Sequence, residues 1–171
     1  MSSTGNDGQP GAGAPRPDRR ALSAGARLYA VQALFQMEAA GQGADRVQRE
    51  FLTYRIGVDD ESGPQPQADE ALFSRIVDDA VTWQSRIDQA TDRALVARWP
   101  IDRIDPVLRA LFRAAGAELA TPRTPPKVVI AEYVRLAQAF FPEGREAKFV
   151  NAVLDHVARQ LRADAFSPRD N

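Results

Sequence analysis

Apolar residues recur three and four positions apart along most of the chain, which is the spacing of an amphipathic helix. Asp69 and Asp105 precede two of these stripes, where a carboxylate can cap a helix, and Pro106 stands at a first helical position. Gly41 and Pro142 end two others. The predicted helices cover about 23–40, 44–56, 69–95, 105–120, 125–141 and 145–162. Because no segment alternates with a period of two, the sequence predicts an all-α fold of about six or seven helices.

Both ends of the chain and one internal segment lack this pattern. Residues 1–18 are rich in Gly, Pro and Ser and carry few apolar side chains, so we predict a disordered tail. Residues 57–67 form an acidic linker rich in Pro and Gly, without fixed geometry. The sequence therefore predicts one compact domain over 19–166 and a short tail over 167–171.

The composition excludes several classes of function. The chain has 171 residues, no cysteine and one histidine, which excludes disulfides, thiol nucleophiles and multi-histidine metal sites. Charged residues interrupt every long apolar run and the N-terminus lacks an apolar leader, so we expect a cytoplasmic protein without a membrane partner. The net charge is −1, but both ends are mildly basic and the middle is acidic, which permits an anionic partner near the two ends.

Candidate catalytic chemistry is sparse. For His156 we favour a half-exposed helix histidine over a catalytic base, and for the carboxylates of residues 59–61 we favour a solvated loop over a metal site. Trp83 and Trp99 are expected to pack between helices. No dinucleotide fingerprint or phosphate-binding loop is present. We therefore predict that the protein is not an enzyme and uses neither a metal nor a cofactor.

Two basic features indicate a possible contact with nucleic acid. Arg19, Arg20 and Arg27 surround the beginning of the first predicted helix, where backbone N–H groups add positive potential. Lys148 and Phe149 place an ammonium group beside an aromatic ring, a pair able to bind a phosphate and stack on a base. The alternative is that Phe149, which heads the apolar stripe of the last helix, is buried.

Four segments stand out in order along the chain: AVQALF at 30–35, LFRAAGAEL at 111–119, PKVVIAEYVRLAQAFF at 126–141 and KFVNAVLD at 148–155. Together they resemble the NusB family of bacterial transcription antitermination factors. The last nearly repeats the family's Lys-Phe-Val-Asn-Gly-Val-Leu-Asp signature, with Ala152 in place of glycine. With Arg27 before the first segment, the resemblance extends over about 27–161.

The resemblance implies two packed helical subdomains and a protein that promotes transcription of ribosomal RNA without catalysis. It implies binding of boxA-type single-stranded RNA, a heterodimer with the small-ribosomal-subunit protein NusE, and a place in an RNA polymerase antitermination complex. Homodimers occur in parts of the family. RNA contact is predicted for Arg19, Arg20, Arg27, Phe140, Lys148 and Phe149, and contact with a protein partner for Phe35 and Leu108.

Two alternatives come from other functional classes. One is a helical adaptor that binds proteins without touching RNA. The other is an RNA-modifying enzyme, because a similar domain occurs fused to methyltransferases of ribosomal RNA. This chain lacks a cofactor-binding α/β domain and a cysteine nucleophile, so it cannot carry out that chemistry alone.

Overall fold

The computed structural model describes residues 17–95 and 104–163. Within those ranges the chain forms seven α-helices and one isolated β-bridge, so the all-α prediction is confirmed. The helices are α1 (Arg19–Ala40), α2 (Ala44–Tyr54), α3 (Glu70–Thr82), α4 (Gln84–Ala94), α5 (Pro106–Ala120), α6 (Pro126–Phe140) and α7 (Arg145–Leu161). Trp99, the predicted C-terminal tail and most of the predicted N-terminal tail lie outside the described residues.

Helix α1 begins earlier than its apolar stripe indicates. Asp18 is the N-cap, and its carboxylate accepts a hydrogen bond from the backbone N–H of Ala21 at 2.7 Å. Arg19 and Arg20 therefore form the first turn of the helix, with Arg27 two turns further along. The helix thus carries its cations at the end where the helix dipole is positive.

The segment predicted as one long helix over 69–95 is two helices, α3 and α4, which meet at Trp83. Trp83 leaves the helical conformation, with φ −104° and ψ 10°. Helix α3 packs on α1 and α2, whereas α4 packs on α7, and a continuous apolar spacing does not reveal this change of neighbours. The Trp83 side chain lies at the corner and is 38% exposed, so the prediction that it packs between helices is wrong.

Helix α5 lies at the centre of the fold. It is buried along most of its length and contacts α1, α3, α4, α6 and α7. Gly116 allows α4 to approach closely, because a Cβ atom there would lie 2.3 Å from Cγ2 of Ile87. Helices α1, α2 and α3 contact one another, α4 and α6 contact α7, and α5 joins the two groups through one continuous apolar core.

The C-terminal end of α5 is closed by an arginine from the end of α7. The Arg162 guanidinium donates hydrogen bonds to the carbonyls of Leu119 at 2.8 Å, Glu118 at 2.9 Å and Thr124 at 2.9 Å. These bonds satisfy carbonyls that have no partner within the helix, and a cation is favoured at this end of the helix dipole. Because Thr124 lies in the turn before α6, the same contact fixes the position at which α6 begins.

The linker over 57–67 is anchored to α1 at its end, contrary to the expectation of a segment without fixed geometry. The Tyr29 hydroxyl donates to the carbonyl of Pro66 at 2.8 Å. The backbone also passes directly over Gly25, where a Cβ atom would lie 2.2 Å from the carbonyl oxygen of Gln67. A glycine at this position is therefore required by the close approach of two backbones.

Candidate nucleic-acid interface

The beginnings of α1 and α6 lie side by side and form an open cleft of about 650 Å³, called here the cationic groove. Helix α1 contributes its first turns and α6 contributes its N-terminal half. The lining residues are Arg19, Arg20, Ser23, Arg27, Lys127, Val128, Ala131, Glu132 and Arg135. Within the described residues, neither Arg19 nor Lys127 forms an ion pair. The groove thus brings together the predicted Arg19 and Arg20 with two cations of α6.

The cationic groove has a surplus of positive charge. Glu132 is the one carboxylate among the lining residues named above, and its side chain is 10% exposed. Arg20 lies 3.8 Å and Arg135 lies 3.5 Å from the same Glu132 oxygen, which are long distances for pairs formed by largely exposed arginines. The N-terminal ends of two helices add further positive potential. The groove is therefore suited to an anion such as a phosphate.

Arg27 lies at the bottom of this groove and contradicts its predicted role. The residue is 6% exposed, and its Nε and Nη2 donate to the two carboxylate oxygens of Glu118 at 2.8 and 3.0 Å. Burial alone would lower the pKa of Arg27, but the hydrogen bond and charge of Glu118 outweigh burial and raise it. With Nε and Nη2 committed to Glu118 and the residue buried, Arg27 is a joint between α1 and α5 rather than an exposed cation available to a phosphate.

Tyr133 of α6 completes this buried cluster. Its side chain is fully buried, and within the described residues its hydroxyl has no hydrogen bond of good geometry. Burial and the nearby charge of Glu118 raise the pKa of Tyr133 well above its ordinary value of 10.0. The phenol is therefore neutral, and the cluster keeps a single compensated charge pair beneath the groove.

A second cleft of about 430 Å³, called here the aromatic groove, lies further along the same two helices. It is lined by Val31, Gln32, Phe35, Gln36, Ala39, Arg55, Val107 and Phe140. The Phe35 side chain is 38% exposed. Phe35 is predicted to contact a protein partner and Phe140 to contact RNA, but the structure places both side chains in one groove.

Leu108 does not belong to this surface. It is 7% exposed and forms part of the apolar core, so the prediction that it contacts a protein partner is wrong. Its neighbour Val107 lines the aromatic groove instead. Successive helical residues point about 100° apart, so a shift of one position exchanges a surface contact for a core contact.

Both grooves involve α1 and α6, and the surface that carries them is called here the α1–α6 face. Arg20 and Phe35 lie on α1 at about 20 Å from each other, given a rise of 1.5 Å per residue. Lys127 stands near the start of α6 and Phe140 at its end, which also separates them by about 20 Å along the helix axis. The face is therefore cationic where the two helices begin and aromatic where α6 ends.

Lys148 and Phe149 lie in the first turns of α7, which follows α6 after a short loop. Lys148 is exposed and forms no ion pair within the described residues. Phe149 is half-buried, and its ring packs edge-on against Phe112, with 6.1 Å between the ring centroids and 70° between the planes. Neither of the two earlier alternatives describes Phe149 fully, because one edge of the ring joins the core while part of the side chain stays accessible.

Comparison with known proteins identifies the family. The family model described as the NusB family matches residues 24–159. The chain belongs to the NusB family. Among its curated relatives is the transcription antitermination protein NusB of Maricaulis maris, 44% identical over 153 residues, which covers 89% of this chain and 95% of the relative. The protein of the same name from Rhodopseudomonas palustris is 44% identical over 156 residues and covers 90% of this chain and 92% of the relative.

Solved structures of the NusB family share the fold. T. maritima NusB superposes with a TM-score of 0.67 at 26% identity, covering 84% of this chain and 95% of that chain. A chain from the complex of antitermination factors NusB and NusE with double-stranded RNA gives a TM-score of 0.64 at 24% identity, covering 80% and 96%. The NusB family is one of transcription antitermination factors rather than enzymes, and this chain is a transcription antitermination factor.

Four residues that line the two grooves are not among the sequence-predicted site residues. Lys127 and Arg135 line the cationic groove, and Gln32 and Arg55 line the aromatic groove. Lys127 carried a weak signal, because it is one of only two lysines among 22 basic residues. The other three carried none, since their importance depends on which helices become neighbours.

The remaining candidates for chemistry lie on the surface. His156 is exposed, with 2.7 Å between its Nε2 and Nε2 of Gln160, and residues 59–61 are exposed in the linker. Among the residues that the structure describes, no group of three or more His, Asp or Glu side chains could hold a metal ion. No helix in the described ranges is long and apolar enough to span a bilayer.

Proposed function

We propose that this NusB-family chain binds boxA-type single-stranded RNA of nascent ribosomal RNA transcripts along the face formed by α1 and α6. In this proposal it acts in the cytoplasm with NusE, within an RNA polymerase antitermination complex, as a binding protein without catalysis. One observation carries the proposal: four exposed cations and two aromatic side chains lie along the same pair of helices. RNA recognition uses both groups, cations for phosphates and rings for unpaired bases.

The cationic groove is the proposed site for phosphates. Arg19, Arg20, Lys127 and Arg135 are positioned to neutralise phosphates of one strand. Because one strand of a duplex has a phosphate every 3.4 Å or so, a face of about 20 Å spans roughly six phosphates, and fewer when the strand is extended. The groove can therefore neutralise only part of the strand that the face accommodates.

The far end of the face is the proposed site for bases. Phe140 lines the aromatic groove, and Lys148 and Phe149 lie at the same end of α6 because α7 begins there. Stacking of a base on an accessible ring contributes on the order of 1–3 kcal/mol. Phe149 is half-buried and its ring also packs against Phe112, so only part of it is free for a base.

A protein partner supplies the rest of the affinity in this proposal. With few phosphate contacts, RNA binding by the chain alone is expected to be modest. A protein of the same fold has been solved with NusE and double-stranded RNA, and we extend these partners to this chain. If NusE and RNA bind cooperatively, each strengthens the binding of the other by the same factor.

The test is the salt dependence of RNA binding. We expect the double variant Lys127→Gln, Arg135→Gln to weaken binding and to reduce the slope of log K against log salt by about 1.4, since each phosphate contact on a single strand contributes about 0.7. The matched control is Arg46→Gln, Arg49→Gln, two exposed arginines of α2 outside both grooves. Anisotropy titrations of a labelled boxA RNA, with and without NusE, provide the measurement.

Two results would contradict the proposal. Equal slopes for the double variant and its control would remove the cationic groove from the phosphate path. If the chain binds NusE tightly but binds no RNA, either by itself or in complex with NusE, the alternative of a protein adaptor is favoured. The mass of the RNA complex, measured by light scattering, decides whether one chain or a homodimer binds the strand.

A further inference from the structure

A third cleft lies where the first turns of α1 meet α3 and the C-terminal end of α5, and it is called here the α3–α5 pocket. We infer that this pocket binds inorganic phosphate, which is held by Arg75 and Arg123 and selected by Asp79. The inference does not rest on the RNA binding proposed above, because none of these three residues lines the cationic groove. The lining residues are Ser23, Arg27, Asp69, Leu72, Arg75, Ile76, Asp79, Ala117, Glu118, Thr121, Arg123 and Thr124.

The size of the pocket restricts its occupant to a compact group. Its volume is about 270 Å³, whereas pockets for drug-sized molecules measure roughly 300–1,000 Å³. The apolar side chains of Leu72, Ile76 and Ala117 contribute to its lining, and the last two are buried. A charge that enters such a partly enclosed site is screened less by salt than a charge on the open surface.

Two of the three carboxylates that line the pocket are already committed. Glu118 is held by Arg27 at 2.8 and 3.0 Å. Asp69 caps α3, where its carboxylate accepts a hydrogen bond from a backbone N–H at 3.0 Å. By contrast, the side chains of Arg75 and Arg123 form no ion pair or hydrogen bond within the described residues. Two cations are therefore left for an occupant.

These two cations come from different elements and suit an oxyanion. Arg75 belongs to α3 and is half-buried, and Arg123 is exposed in the turn between α5 and α6. A guanidinium group presents a planar fork of donors that matches two oxygens of a phosphate. The hydroxyl groups of Ser23 and Thr124 make no hydrogen bond within the described residues and supply further donors.

Asp79 distinguishes inorganic phosphate from other anions. Its side chain is half-buried and has no partner in the described ranges, although Arg75 stands four positions earlier on α3. A carboxylate repels an oxyanion without a proton but accepts a hydrogen bond from a P–OH group. Inorganic phosphate keeps at least one proton at neutral pH, whereas sulfate and a phosphodiester keep none. A phosphate monoester, with a second pKa of about 6, has lost most of its proton.

The test is isothermal titration calorimetry at pH 7 with inorganic phosphate, sulfate and dimethyl phosphate, the last of which represents an RNA backbone phosphate. We expect the wild type to bind inorganic phosphate about tenfold or more tightly than either other anion. Arg75→Gln and Arg123→Gln should each weaken phosphate binding by about 10- to 150-fold, the effect of losing a hydrogen bond to a charged group. Asp79→Asn should remove the preference over sulfate, because an amide can donate to an unprotonated oxygen.

The matched control is Arg86→Gln, an exposed arginine of α4 outside this pocket, which should bind phosphate like the wild type. Equal affinity of the wild type for phosphate and sulfate, or an unchanged preference in Asp79→Asn, would overturn the selection by Asp79. If Lys127→Gln abolishes phosphate binding and Arg75→Gln leaves it intact, the anion lies in the cationic groove and the inference fails. Tighter binding of ribose 5-phosphate than of inorganic phosphate would also overturn it. None of these results alters the proposed RNA binding, which is measured separately.

Discussion

Two arginines of α1, Arg27 and Arg20, each contact a buried glutamate, and the two contacts differ in length and in the exposure of the arginine. Arg27 and Glu118 form a bidentate pair at 2.8 and 3.0 Å, with both side chains buried. Arg20 stands 3.8 Å from Glu132 with 71% of its side chain exposed. The same two residue types thus join two helices in one place, and in the other they leave an exposed arginine only weakly paired.

The difference shows that exposure, and not residue type, decides what an arginine can do. A buried pair has lost the hydration of both charges, so each member depends on the other. Arg20 keeps most of its hydration although Glu132 is 10% exposed, and its long contact leaves it able to exchange that partner for a phosphate. Folding therefore depends on Arg27, whereas Arg20 stays available to a ligand.

The largest expected effect comes from breaking the buried pair. Glu118→Ala should lower the free energy of unfolding by about 3–5 kcal/mol, because it leaves the Arg27 charge buried without a partner. Urea denaturation followed by circular dichroism at neutral pH measures this change. Glu132→Gln is the matched control, and its stability should change less, because Arg20 and Arg135 are largely exposed and stay hydrated when the carboxylate is removed.

A second variant separates the charge from the packing. Replacing both partners, with Arg27→Met and Glu118→Leu together, should restore much of the stability that Glu118→Ala loses, since no unpaired charge remains. If Glu118→Ala destabilises the chain no more than Glu132→Gln does, the contrast between the two contacts has no energetic basis.

The next largest effect is expected in RNA binding, and here a substitution should strengthen the measured quantity rather than weaken it. Glu132→Gln removes the carboxylate that Arg20 and Arg135 share. We expect tighter RNA binding, about fivefold at 0.1 M salt for each additional phosphate that the released arginines neutralise, and a steeper salt slope. Anisotropy titration over a series of salt concentrations measures both quantities, and weaker binding by this variant would place the RNA elsewhere.

The sequence predicts much of the fold because helical periodicity is local information. The cap at Asp105, the following Pro106 and the apolar stripe of α5 all lie within one segment, and the structure confirms that helix. The break at Trp83 is not local, since it depends on which helices α3 and α4 pack against. A continuous stripe contains no record of such a change of neighbours.

The candidate interface was less predictable for the same reason. The neighbourhood of Arg27 depends on Glu118, which lies 91 positions away in the sequence. A basic residue near a helix start could equally have faced solvent, so the family motif alone led to a wrong role. Phe35 and Phe140 likewise share a groove only because α1 and α6 are neighbours.

The smallest expected effect concerns Glu38, which lies between the two extremes of the comparison. Its side chain is 36% exposed, and it pairs with the largely buried Arg109 and, at 3.0 Å, with Arg113. The hydrogen bond from Arg109 lowers the pKa of Glu38 below its ordinary value of 4.5. A carboxyl group with a lowered pKa in the folded state stabilises the fold above that ordinary value and loses this contribution as the pH falls through the folded-state pKa.

Glu38→Gln should therefore lower the free energy of unfolding by about 0.5 kcal/mol at pH 7, since a partly exposed pair is screened by solvent. The difference between this variant and the wild type should shrink as the pH falls below 4.5. Urea denaturation at a series of pH values, with Glu61→Gln in the exposed linker as the control, measures the trend. If the difference in the free energy of unfolding stays constant down to acidic pH, Glu38 acts through packing and not through its charge. Its ion pairs would then not be intermediate between the buried Arg27 pair and the exposed Arg20 contact.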